Sequence, residues 1–466
     1  MNYKILVNKE NPYNKNDFSN INLKSITNSL NEEYLLEKNT LKAYLNLKKE
    51  LIKENINIDI ISGYRSILEQ EKLVDEYNLL YGEEYVKKYV ALPGCSEHHT
   101  GLCFDIGLIV DNKLIFEGKD LKKYEDIFLK INSKLETYGL ILRYPKDKEI
   151  VTGYNYEPWH FRYVGKSTAK IIRDNNLTLE EYTELYNKSG VLLINKPIGI
   201  TSRDAVNKVS QIFDTKKVGH NGTLDPLAEG LLVITINKAT KINELLTSED
   251  KEYIAKVKVG IETDTLDLEG KIIKESNKKV TKDEIVTMFD KFPKKYLQEV
   301  PKYSAVKING KKLYEYARNN QEIDLPKREV IIKELELLDY NETSFSFRII
   351  VSKGTYIRSI IKDMGNFLNI PCTMSSLKRT KCGNFELDNA YDLDKININS
   401  KIIKIDEALN IPKIEVSLKD IKKLLNGADI TNTYNIIDMV LFTTNNTLIA
   451  IYKNINNILK CFKMLK

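Results

Sequence analysis

The scarce residue types of this chain fall in a few places. Its histidines are His98, His99, His160 and His220, and its one tryptophan is Trp159. Two imidazoles and one carboxylate make a ligand set for catalytic zinc, with a fourth position left to water. His98, Asp105 and His160 supply such a set. The ion lowers the pKa of bound water to about 7, and a carboxylate that is not a ligand can then take the proton. Glu157, three residues before His160, stands close enough for that task. Arg65 suits a substrate carboxylate, or the oxyanion that develops when a carbonyl is attacked. The same residues also suit a plainer role, as polar loop positions tying together a small α+β core. Further along, Asp225, Arg358, Tyr253 and Tyr314 sit amid basic loops. That combination fits nucleobase chemistry, since aromatic rings stack on a base and lysines hold phosphates. Taken alone, Asp225-Pro226 is only a turn signal.

Strands and helices must hold these groups. In NINIDIISGYRS, Ile56, Ile58 and Ile60 alternate as on a half-buried strand, which Ser62-Gly63 ends. Ser66 and Glu69 make a capping box for the next helix, leaving Arg65 at the junction. In SEHHTGLCFDIG, Leu102, Phe104, Ile106 and Leu108 alternate, so Asp105 faces away from the apolar side, with His98 in the loop before it. In EPWHFRYVG, Phe161 and Tyr163 alternate away from His160 and Arg162. The second half opens with GVLLINKPIGITSRDAVNKVSQIF, a strand, a Pro/Gly turn and a helix. Thr201 or Ser202 caps that helix, and Val206, Val209 and Phe213 face inward. GHNGTLDPLAEGLLVITI is a loop with Asp225 at its turn, running into a buried strand, and IAKVKVG alternates with Tyr253 at its entry. VPKYSAVKINGKKLYEYAR is a basic loop leading to a helix with Tyr314 and Arg318. SFSFRIIVSKGTYIRSIIKDMG reads as strand, turn and helix, with Ile357, Ile361 and Met364 inward. Arg358 then lies in the first helical turn, free to pair with a carboxylate from another loop. The tail, VLFTTNNTLIAIYK, reads as strand–turn–strand with Asn445-Asn446 at the turn.

Across about residues 50–165, the motifs SGYRSILEQ, SEHHTGLCFDIG and EPWHFRYVG resemble the VanY-type D-alanyl-D-alanine carboxypeptidases and related zinc dipeptidases. The resemblance implies that His98, Asp105 and His160 bind zinc and that Glu157 is the general base. It implies that Arg65 stabilises the substrate or transition state, with Gln70 and Ser96 lining the site. His98, not His99, falls on the ligand position of the pattern S-x-H-x-x-G. Cys103 stands where the family usually has alanine, which places a soft sulfur near the metal.

Over about residues 190–395, LLINKPIGITS, KKVGHNGTLDPLAEGLL, KEY, YSAVKINGKKLYEYAR, SKGTYIRS and LKRTKCGNF resemble the TruB family of tRNA pseudouridine synthases. This implies isomerisation of the T-loop uridine, position 55 of tRNA, with no cofactor. Asp225 corresponds to the catalytic aspartate, and Arg358 to its ion-pair partner. Tyr253 would stack on the target base and assist the last proton transfer. His220 would hold the opened T-loop, Lys196 would support the active-site loop, and Tyr303, Lys307, Tyr314 and Arg318 would contact RNA. Val300 replaces the first of two prolines usual in the family, a change expected to act on loop stiffness. The tail resembles the small C-terminal RNA-docking module of bacterial TruB proteins.

At 466 residues the chain is long enough for about three domains, and 42% hydrophobic with 29% charged residues is the composition of a folded protein. The opening MNYKILVNKENPY lacks the apolar core of a secretory signal, and the best apolar run, 231–236, is strand-sized. Five cysteines make a disulfide framework implausible, so the expected setting is the cytoplasm. Net charge is +6, divided as about −2 over residues 1–188 and about +8 beyond, which favours a phosphate-rich partner for the second part. The expected fold is multidomain α+β. Residues 1–175 form a small zinc-peptidase domain and 176–189 a linker. Residues 190–410 form a mixed α/β synthase domain on a central antiparallel sheet, and 411–466 a small β-rich module. The expected partners are the T-arm of tRNA and a short peptide or muropeptide ending in D-Ala, bound by a monomer with no membrane association. The alternative is a metallopeptidase whose second half only binds or folds tRNA.

Overall fold

The computed structural model describes residues 2–18, 21–319, 321–416, 420–444 and 447–465. The Asn445-Asn446 turn lies outside the described residues. The chain divides into two units, Met1–Asn187 and Lys188–Lys466. Among the described residues no helix is long and apolar enough to cross a membrane.

In the first unit, helix α1 (Lys38–Ile52) buries Ala43, Tyr44, Leu47 and Leu51 at helical spacing. They pack on the inner face of a five-stranded antiparallel sheet. Its main strands are β1 (Ile58–Ser62), β2 (Cys103–Val110), β3 (Leu140–Tyr144) and β4 (Glu157–Tyr163), in the order β1-β2-β4-β3. Helix α2 (Ile67–Tyr81) follows β1 and starts at the expected Ser66–Glu69 capping box. In the β2–β4 ladder Phe104 is paired with Phe161 and Asp105 with His160. Because side chains alternate along a strand, both phenylalanines enter the core while Asp105 and His160 share the other face. Leu102 precedes β2 and packs instead with Val7 and Phe18.

Residues 176–189, expected as a linker, carry helix α3 (Leu179–Tyr186), with Thr178 and Glu181 as a reciprocal capping box. Leu179, Tyr182 and Tyr186 are buried on one side of it. The polar composition of the segment concealed this 3–4 residue spacing.

The second unit is built on a ten-stranded sheet. Its long strands are β5 (Gly190–Lys196), β6 (Ala228–Ile236), β7 (Lys251–Val259), β8 (Lys327–Asn341), β9 (Ser344–Val351) and β10 (Cys372–Cys382). They run in the order β8-β9-β7-β10-β6-β5, with Lys295–Glu299 and Tyr391–Asp392 on the two edges. Most neighbours are antiparallel as expected, but β6 pairs with β10 in parallel, as does β5 with Tyr391–Asp392, so the sheet is mixed.

Strand β6 is buried on both faces. Leu232, Ile234 and Ile236 share one core with residues of helix α4 (Ser202–Ile212) and helix α6 (Ile357–Leu368; the short helix α5, Leu313–Arg318, lies before it). Leu231 and Val233 face a second core with Leu441, Ile451 and Leu465 of the tail. Thr201 caps α4, and Val206, Val209 and Phe213 turn inward, as do Ile357, Ile361 and Met364. The tail forms a five-stranded sheet of its own.

Candidate active sites

The predicted residues of the first unit line one cavity of about 760 Å3: Arg65, Gln70, Ser96, His98, Asp105, Glu157 and His160. His98 comes from a short 3-10 turn, and its amide donates to Ser96 Oγ at 3.4 Å. The Nδ1 of His98 donates to the Gly63 carbonyl at 2.7 Å, which leaves Nε2 facing Asp105 Oδ2 at 3.4 Å. On His160, Nε2 lies 3.1 Å from Glu97 Oε1, and Nδ1 lies 2.9 Å from Asp105 Oδ1. Each imidazole therefore has its outer nitrogen anchored and its inner nitrogen turned to one carboxylate. Metal-binding histidines are held in this way, because the outer hydrogen bond fixes tautomer and ring orientation. Asp105 Oδ1 is buried without a hydrogen bond of good geometry, as expected of an atom placed for another partner. This donor set fits zinc.

Charge in the cavity is strongly biased. Burial, aided by Arg65, pushes His98 down to about 3 and keeps its ring neutral. Burial works against charge on Asp105, yet His160 and His98 hold its carboxyl at about 2. Burial also opposes charge on His160, but Asp105 outweighs it and moves the imidazole well above its ordinary range. Glu157 Oε2 stands 3.8 Å from His160 Nδ1. Arg65 is held by Gln70 Oε1 and Ser62 Oγ, both at 2.8 Å, and Gln70 in turn donates to the Ala91 carbonyl at 2.7 Å. His99 turns elsewhere, with Nδ1 donating to the Arg65 carbonyl.

Glu97 received no role from its position in the sequence, yet it anchors His160. Besides His160 it receives Arg143 at 2.7 Å and Arg162 at 3.1 Å, and all of these groups are buried. Desolvation would raise its carboxyl, but the two guanidinium groups hold it well below the usual range. Arg143 also grips Glu180 of α3 with two hydrogen bonds, at 2.9 and 2.6 Å. Helix α3 is thus tied through Arg143 and Glu97 to His160. Such partners lie far apart in the chain, so spacing gave no signal of them.

In the second unit, Asp225 sits on a turn clamped to the start of α4. The Leu224 amide donates to Ser202 Oγ at 2.9 Å, and that hydroxyl donates back to the Leu224 carbonyl at 3.0 Å. Arg358 Nη2 lies 2.9 Å from Asp225 Oδ2. The same guanidinium donates to the Thr265 and Tyr303 carbonyls and stands 3.6 Å from Asp267. Lys196 donates to the Pro197 and Ile200 carbonyls, and burial lowers it to about 8 while Asp225 pulls the other way. Tyr253 is buried, which raises its phenol, and Arg379 beside it acts in the opposite direction.

Comparison with known proteins separates the two units. Residues 33–166 match the model for D-alanyl-D-alanine carboxypeptidase (VanY), and residues 210–357 that for the N-terminal domain of TruB family pseudouridylate synthase. The tRNA pseudouridine synthase B of Bacillus cytotoxicus is 41% identical over 283 residues, covering 57% of this chain and 92% of that protein. The chain belongs to the TruB family. A second TruB relative, from Geobacillus thermodenitrificans, is 44% identical over 255 residues, covering 51% of this chain and 84% of its own length. Among solved structures, the LdcB LD-carboxypeptidase is 38% identical with a TM-score of 0.34, covering 38% of this chain and 84% of that one. A VanY-like domain is therefore fused to a TruB-family protein.

The remaining predicted residues of the TruB part fall into two groups. His220 lies on a short strand paired to β6, with burial lowering its imidazole and its Nδ1 buried without a hydrogen bond. Tyr314 is flanked by Lys312 and Arg318, whose cationic groups lie 5.2 and 5.5 Å from its ring centre. Lys307 belongs to a two-residue hairpin with Lys311-Lys312 beside that ring. Lys307, Lys312, Tyr314 and Arg318 form a basic aromatic cluster, whereas Tyr303 is joined to the Asp225 cluster through its backbone. Val300 donates its amide to the Pro326 carbonyl at 3.0 Å, a bond that proline at this position could not make.

Asp267 and Arg379 are two TruB-part residues whose place beside the Asp225 site was not legible from motif spacing. Arg379 is fully buried and donates to the Leu231 and Gly222 carbonyls. Gly230 has a φ of +103°, and a Cβ there would lie 2.4 Å from the Arg379 carbonyl oxygen, so this parallel crossing requires glycine.

Proposed function

We propose that the TruB-family part isomerises the uridine at position 55 in the T-loop of tRNA to pseudouridine, with Asp225 as the catalytic carboxylate. The observation that carries this reading is the Asp225–Arg358 ion pair on a clamped turn, with Tyr253 and Lys196 around it. The uridine must leave its stack, at a cost of a few kcal/mol, so replacement contacts are needed. Tyr253 stacks on the displaced base. Asp225 acts as nucleophile, or as base at the sugar, while the N-glycosidic bond breaks. The freed uracil turns over and rejoins through carbon, with no redox change and no cofactor. His220 and Tyr303 hold the opened loop, Lys307, Tyr314 and Arg318 bind its backbone and bases, and residues 411–466 dock the RNA. Incubating the protein with unmodified tRNA and locating pseudouridine by mass spectrometry tests this. A product at another uridine, or none, would overturn it.

The VanY-like part, in this reading, removes a terminal D-alanine from a short peptide or muropeptide. Support comes from the two anchored imidazoles that meet at Asp105. His98, Asp105 and His160 would hold zinc, which when bound supplies a Lewis acid for water and the scissile carbonyl. Glu157 takes the proton from water and passes it to the leaving amine. Arg65, steadied by Gln70 and Ser62, holds the substrate carboxylate or the developing oxyanion, and Ser96 shapes the turn bearing His98. Zinc-loaded protein given D-Ala-D-Ala, muropeptide stems and L-peptides should release D-alanine, and Glu157→Ala should not. Release by both would remove Glu157 from its role.

A further inference from the structure

Cys103 takes no part in either reaction. It opens β2 two residues before Asp105, hence on the same face, and pairs with Arg162 beside His160 on β4. Its thiol is free and fully buried. Its Sγ, one nitrogen of His98 and one of His160 all lie within 4.8 Å of one another. Around a tetrahedral zinc ion, sulfur and nitrogen ligands stand roughly 3.5 Å apart. Small rotamer changes therefore bring these atoms onto one ion, and strand alternation already sends Cys103 and Asp105 to the same side. The buried Asp105 Oδ1, without a well-formed hydrogen bond, is a separate mark of a ligand position on this face.

We propose that Cys103 is a fourth protein ligand in this centre, a thiolate completing a set with His98, Asp105 and His160. The proposal rests on the metallopeptidase reading and adds a donor to it. On loading, the S–H bond of Cys103 breaks, a sulfur–metal bond forms and the proton passes to solvent. Two consequences follow from ligand chemistry. A thiolate favours zinc and other soft ions over magnesium or calcium. With four protein ligands the centre is closed at rest, and water gains access only by expanding the coordination or displacing a ligand.

Cobalt(II) bound to the full-length chain reports the ligand directly, because thiolate ligation adds a charge-transfer band in the near ultraviolet. The band is expected in the unaltered protein and in Cys95→Ser, and is expected to vanish in Cys103→Ala. Cobalt affinity in that variant should fall by at least about 10- to 100-fold. Should Cys103→Ala fail to fold, X-ray absorption on the zinc-loaded unaltered protein gives the answer without a variant. A sulfur scatterer at about 2.3 Å supports the proposal. One metal per chain with only nitrogen and oxygen neighbours would overturn the thiolate and leave the metallopeptidase reading standing. No metal bound by the unaltered protein would overturn both.

Discussion

The two candidate sites hold an aspartate in opposite ways. Asp105 is fixed on a strand, its side chain 16% exposed, between two imidazoles whose outer nitrogens are themselves anchored. Asp225 sits on a turn, its side chain 36% exposed, with one guanidinium 2.9 Å away. The first site is backed by the buried Glu97–Arg143–Arg162 cluster, and donors fixed closely around a point are what a small ion would need under the proposed reading. The second keeps its carboxylate open, beside the buried Arg358, and room to enter is what a displaced nucleotide would need under the proposed reading. The lesson is that an acid can be prepared for work by caging it or by presenting it.

The contrast can be broken by substitution. The largest effect is expected for Asp225→Asn, which should lower pseudouridine formation by about 10⁴-fold or more while RNA retention on a filter is kept. If tRNA-dependent growth is rescued by this variant with the modification still missing, the binding-only alternative gains. Next, His160→Ala should reduce bound zinc from about one per chain to less than about 0.1, read by metal analysis, because one donor of the set is gone. Glu97→Gln should weaken zinc binding by about 10- to 100-fold, since it loosens His160 without touching the ion. Pseudouridine formation in that variant is the control and should persist. A smaller loss, below about 10-fold, is expected for Glu180→Gln, one step further out through Arg143.

The smallest effect is one of pH. Lys196 is lowered from 10.5 to about 8 in the folded protein. Below pH 8 both folded and unfolded chains carry its proton. Between 8 and 10.5 the unfolded chain holds more protons, so this group makes unfolding harder as pH rises through that window. Urea titrations of the unaltered protein minus those of Lys196→Met should show a difference growing from pH 8 to 10. A flat difference would mean that Lys196 is not desolvated as the fold implies.

Local features were legible in the sequence, and distant pairings were not. Ser66 and Glu69, a cap at Thr201 or Ser202, and the inward faces of α4 and α6 follow from spacing alone, and the structure has them, with Thr201 as the cap. The alternation around Asp105 and His160 likewise put both on one face of the sheet. Helix α3 was written in Thr178-x-x-Glu181, but a polar stretch between two motif-rich halves invites reading as a linker. Glu97 stands beside a motif histidine, yet its partners Arg143 and Arg162 come from other strands. Parallel pairing of β6 with β10 joins segments with nearly half the unit between them, and no residue pattern announces it.

Strand β6 carries a consequence for synthesis on the ribosome. One face of it joins a core that includes Ala205, Val206 and Val209 of α4, made just before it. The other, with Leu231 and Val233, is joined early by Val191, Leu193, Ala239, Ile242 and Leu246, and is completed by Leu441, Ile451 and Leu465 roughly 200 residues later. At about 5–20 residues per second, this core stays incomplete for on the order of 10–40 s in each round of translation. Throughout that interval the nascent chain holds part of an apolar core that only the tail closes.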